Sequence, residues 1–144
     1  MTWLNRVSNL AVDRLPSRIS PGTHLALEYG LAAATAGFAF MCLRRNKPAA
    51  IAGFIAAGAQ LTNALMTEAP GGAVNVSSFP LHGRIDRGNA AMLAAMPRFM
   101  GFAGDPESRF FYAAAVASSV LTGMTDYTGT GERAQSRALA EARD

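Results

Sequence analysis

Two histidines and four carboxylates are the side chains in this sequence best placed to do chemistry. His24 and Glu28 lie four residues apart, as do His82 and Asp86. On a helix that spacing puts both members of a pair on one face. Glu68 and Asp126 each follow a later apolar stretch. Imidazole and carboxylate groups bind divalent metal ions, and the set has the ligand count of a carboxylate di-metal bundle. The spacing departs from that class, which uses Glu-x-x-His where this chain has His-x-x-x-acid. The candidate metal ligands are therefore His24, Glu28, Glu68, His82, Asp86 and Asp126. His24 and His82 are also the candidate ligands for a haem or a chlorophyll-like pigment, because His is a frequent ligand. Two features oppose a cation. Arg84 and Arg87 stand close by in sequence, and the helix macrodipole favours acids near helix starts in any case. Glu28 lies about one turn inside an apolar segment, where an ionisable group is costly and often functional. It would either pair with Arg84 or Arg87 or serve a proton or ion path. No nucleophile elbow, phosphate-binding Gly loop or His-Glu-x-x-His motif occurs, so no catalytic residue is assigned.

Four apolar segments must position these groups: 24–43, 48–66, 82–102 and 107–125. Each has about the 20 residues that span a hydrocarbon core. The third is the weakest, shortened by Arg84, Asp86 and Arg87 and interrupted by Pro97 and Arg98. Only 16% of the 144 residues are charged, against about 25% in a soluble domain. Segments one and four lack the polar outer face that a soluble bundle needs. The expected fold is all-α, with four transmembrane helices forming two hairpins. An amphipathic helix over 1–20 would lie in the membrane interface, with Trp3 as its anchor. The hairpins cover 22–72 and 80–130, and a polar tail covers 131–144. The short links Arg-Arg-Asn-Lys and Ala-Gly-Asp make the paired helices antiparallel. Rows of small residues, Ala49-Gly53-Ala57 and Ala113-Ala117, would let backbones approach closely, while Gln60, Thr62 and Asn63 would bond between helices.

Sliding the chain by 58 residues superposes 24–72 on 82–130 without a gap. His24 falls on His82, Glu28 on Asp86, Pro48 on Pro106, and Met66-Thr67-Glu68 on Met124-Thr125-Asp126. The expectation is one hairpin repeated, the copies related by a pseudo-twofold axis along the membrane normal. Alternating helix directions would then bring both His-acid pairs to the same side of the membrane as Glu68 and Asp126.

The net charge is +3, but the basic residues are dispersed, which excludes a nucleic-acid partner. They read instead as membrane flanks. Their excess on the side holding both termini places those termini in the cytoplasm. The single Cys42 excludes an internal disulfide and a Cys-based metal site. In the second half, Asp86, Gly88, Pro97, Phe99, Gly101 and Phe102 form a pattern that resembles the SPW-repeat type of small bacterial membrane protein. The resemblance covers about 45 residues, with Arg98 where that pattern has Trp. It implies a paired-helix module of the bacterial inner membrane and no activity.

The expected function is that of a non-catalytic integral membrane protein. It would be an accessory or assembly subunit of a larger complex, an energy-converting one (respiratory or photosynthetic) being plausible. Its partners would be the lipid bilayer and other membrane subunits or further copies of itself. The alternatives are a redox protein binding metal, haem or pigment, and a small ion or proton transporter.

Overall fold

The computed structural model describes residues 19–127. Nearly all of the expected amphipathic helix over 1–20, and the tail 131–144, lie outside the described residues. Within them are four α-helices and no strand: α1 (Pro21–Cys42), α2 (Lys47–Leu65), α3 (Phe79–Phe99) and α4 (Ser108–Gly123). Local chemistry sets the ends. Ser20 and Asn46 cap α1 and α2 by accepting from the Thr23 and Ala49 amides, and a proline stands in the first turn of each helix. Gly101, with φ at 79°, ends α3. The Phe102 amide donates to the Pro97 carbonyl, and the Gly101 amide to that of Arg98. This is a Schellman stop, sealed by the buried Phe102 ring. It accounts physically for the spacing of Pro97, Gly101 and Phe102.

Helix α1 packs on α2, and α3 on α4; the hairpins meet through α2–α3 and α1–α4. Helices α1 and α3 thus face each other diagonally across the bundle. Closest approach within the first hairpin is at Gly53, where an added Cβ would lie 2.8 Å from the Ala39 Cβ. Ala49 and Ala57 are buried along the same face. The second expected row is not a packing face: Ala113 and Ala117 are exposed, and Ala114, Ala115 and Ser118 turn inward instead. Of the expected polar links, Asn63 bonds between helices, Gln60 is buried with its amide unpartnered, and Thr62 is exposed.

The apolar core sits toward the short links, around Cys42, Ala52, Leu93, Met96, Phe102 and Phe111. At the opposite end two short parallel bridges tie each hairpin to the segment ahead of a helix. Ser77 donates to Met66 and accepts from Glu68; Ile19 donates to Met124 and accepts from Asp126. Each residue of the second bridge is 58 positions from its counterpart in the first.

Large and small apolar residues are distributed unusually. Among the described residues, eleven of the eighteen buried hydrophobic residues are alanine. Sixteen large hydrophobic residues are exposed, spread over all four helices, Phe40, Val116 and Phe99 among them. Only α1 and α2 are long and apolar enough to cross a membrane by length and composition, against the four helices expected. Four charged residues lie in α3, and α4 has only 16 residues.

Candidate metal centre

The N-terminal eight residues of α1 and of α3 carry the site. Each contributes one His and, four residues on, one acid, so both side chains of a pair turn into the bundle together. His24, Glu28, His82 and Asp86 are all buried, and one ligand atom from each lies within 4.8 Å of the other three. The two Nε2 atoms are 3.1 Å apart. Asp86 Oδ2 lies 3.0 Å from His24 Nε2 and 3.1 Å from His82 Nε2. Glu28 Oε2 lies 3.1 Å from His82 Nε2 and 4.0 Å from His24 Nε2. An ion with four ligands at about 2.0–2.1 Å would sit in a tetrahedron with edges of about 3.3–3.4 Å; four of these separations are slightly shorter and the Glu28–His24 one is longer.

The outer ring nitrogens decide what faces inward. The Thr67 hydroxyl gives its one proton to the Asn63 carbonyl at 2.6 Å, so the contact to His82 Nδ1, also 2.6 Å, must be donated by the ring. Thr125 repeats the arrangement: it donates to the Leu121 carbonyl at 2.7 Å and accepts from His24 Nδ1 at 2.8 Å. A neutral imidazole protonated at Nδ1 presents a lone pair at Nε2. In that neutral form both histidines direct lone pairs at each other and at two carboxylates, whereas an imidazolium would donate to them from Nε2. Glu28 Oε2 is buried without a hydrogen bond.

The surrounding shell is asymmetric. The Asn63 amide donates to Asp86 Oδ1 at 2.7 Å. Tyr127 donates to Asp86 Oδ2 at 3.2 Å, and its ring packs on Phe79 and edge-on to His24. Burial, then the Asp86 carboxylate, push the Tyr127 hydroxyl well above the ordinary phenol range, which keeps it a donor. Gly83 makes room for that ring, since a Cβ there would lie 2.5 Å from it. The residues 58 positions earlier are Leu25, fully buried, and Ala69.

Four of the six expected ligands are thus brought together. Glu68 and Asp126 stand outside the group. Helices α2 and α4 end at Leu65 and Gly123, before the acids, and the bridges that follow point Thr67 and Thr125 inward. Glu68 is exposed. Arg84 and Arg87 are also exposed, so they neither pair with Glu28 nor oppose a cation; His82 is the group facing Glu28. Thr67, Thr125 and Tyr127 are site positions absent from the expected set, although the Met-Thr-acid match marks both threonines in the sequence.

No family model, curated protein or solved structure matches the chain.

Proposed function

We propose that this is a non-catalytic integral membrane protein whose two hairpins are clipped together by one divalent metal ion. The observation that carries the reading is the set of four inward-facing acceptors, two imidazole lone pairs and two carboxylates. A divalent cation would satisfy all four acceptors of such a set at once, where a proton on one imidazole would satisfy only some of them. One divalent ion with two neutral histidines and two carboxylates is electrically neutral. Four protein ligands at tetrahedral spacing close the coordination shell, the mark of a structural rather than a catalytic ion. The ligand types and spacing suit zinc first and other first-row divalent ions next. Nitrogens 3.1 Å apart leave no slot for a macrocycle between the imidazoles, which favours an ion over haem or pigment.

Placement in a bilayer is supported by the distribution of apolar residues. Water drives large apolar side chains inward, whereas lipid leaves them outside and small residues at helix contacts. The exposed Leu81, Ile85, Phe99, Val116 and Val120 on α3 and α4 support extending the reading to four spanning helices. The matched bridges and threonine–histidine bonds support a repeated hairpin with both helix starts on one membrane face. The SPW-repeat resemblance agrees with paired helices. With a closed ion and an inert interior, the role left to the molecule is docking, as an accessory or assembly subunit.

The test is metal analysis of the detergent-purified protein after incubation with zinc and removal of free ion. One ion per chain is expected, and none in His82→Ala. A wild-type protein without bound metal overturns the centre, and recovery in the soluble fraction overturns the membrane placement. Native purification should bring down partner subunits; a strictly monomeric, partner-free protein sinks the accessory role.

A further inference from the structure

A cavity of about 490 Å³ opens between α2 and α3. Apolar residues, Met66, Val76, Leu81 and Ile85, form much of its wall, and no charged side chain lines it. Three of its residues are polar and buried: Asn63, Ser77 and Asn89. Each holds one polar atom with no hydrogen-bond partner, namely Asn63 Oδ1, Ser77 Oγ and Asn89 Nδ2. The Asn63 amide nitrogen is committed to Asp86 Oδ1 and the His82 carbonyl, which fixes Oδ1 as the free acceptor.

Packing does not demand these polar groups. At the positions 58 residues away the chain has Leu121, Ile19 and Leu31. The corresponding seam between α1 and α4 is thus built from aliphatic side chains. Gly58, which borders the cavity with open space beside it, has Val116 as its counterpart. One seam has aliphatic residues at these positions; the other is hollow and carries a donor, an acceptor and a hydroxyl. Unpartnered polar groups in a buried apolar setting are costly, so a seam that keeps three of them is shaped for a ligand.

We propose that this cavity binds a neutral amphiphile with a hydroxyl head, such as a long-chain alcohol. The head donates to Asn63 Oδ1 and accepts from Asn89 Nδ2, with Ser77 as a second partner. The chain runs out along Met66, Leu81 and Ile85 toward lipid. An uncharged lining selects a neutral head over a fatty-acid carboxylate. This inference goes beyond the ion and does not depend on it.

The full chain in detergent is photolabelled with a diazirine-bearing hexadecanol, and the labelled peptides are identified by mass spectrometry. Label is expected on the peptides holding Met66 and Ile85. Hexadecanol should compete it away, and hexadecane and palmitate should not. Asn89→Leu and Ser77→Ile install the residues of the other seam, and Gly58→Val fills the space; none touches the metal ligands. Each should cut labelling about tenfold, the worth of one hydrogen bond to the head or of the lost room, with the metal content unchanged. Competition by hexadecane equal to that by hexadecanol overturns the proposal, as does labelling indifferent to all three substitutions. A metal-free wild type that still labels in this way supports the cavity and overturns the metal centre alone.

Discussion

At the scale of single residues, the two threonines matter as much as the ligands. Each spends its only proton on a helix carbonyl and so forces its histidine to present Nε2 inward. Thr67→Val and Thr125→Val should each weaken zinc binding about 10–100-fold, as loss of an outer-shell partner does elsewhere. Chelator competition would measure it; affinity equal to wild type in both variants would refute the tautomer argument. Tyr127 covers the side of the centre where Gly83 replaces a larger residue. Gly83→Ala should displace the ring and speed zinc loss to a chelator, with Tyr127→Phe giving a smaller increase because the ring stays. Unchanged release in Gly83→Ala would mean that the ring is no barrier. The clustering of His24, Glu28, His82 and Asp86 could be read from sequence because i, i+4 spacing and the 58-residue shift both mark them. Glu68 and Asp126 misled because a helix that ends one turn early exchanges which neighbour points inward. Tyr127 was illegible: its role depends on a slot at Gly83, distant in sequence and visible only in three dimensions.

At the scale of elements, the four helices were legible with boundaries close to those expected, since apolar runs and N-terminal prolines mark them. Which small residues face inward was legible in α2 and not in α4. Alanine-rich helices offer several equivalent rows, and only the partner surface selects one. The α1–α2 contact depends on Gly53 meeting Ala39. Gly53→Ala should destabilise the protein by about 1–3 kcal/mol through overpacking. Adding Ala39→Gly should restore much of that loss by removing the opposing methyl group. Thermal unfolding in detergent would show both; a Gly53→Ala protein as stable as wild type would mean that the helices simply move apart.

At the scale of the whole molecule, cohesion is divided between two ends. Beside the short links, apolar side chains pack, and Asn46 reaches Asp105 at 2.7 Å to tie the two turns together. At the other end, the proposed ion would join α1 to α3. Zinc at about 100 times its dissociation constant should add about 2.7 kcal/mol of stability. A chelator should therefore lower the unfolding temperature of the wild type and leave that of His24→Ala unchanged. Equal sensitivity in both proteins would show that the ion is not what joins the hairpins. Of the four spans expected from sequence, only α1 and α2 have the length and apolar composition of one. Helix α3 carries the polar groups of the site, and these lower its hydropathy.

The pairing of ligands has a consequence for descent. One hairpin brings a histidine and an acid, half of the proposed coordination sphere, and a threonine that accepts from the histidine of the other hairpin. Two identical copies of such a hairpin, meeting around one ion, would complete the sphere with nothing added. Fusing those copies into one polypeptide removes the requirement that they stay identical. The differences between the halves, Tyr127 over one flank and the hollow polar seam beside α2, are of the kind that only a fused pair is free to acquire.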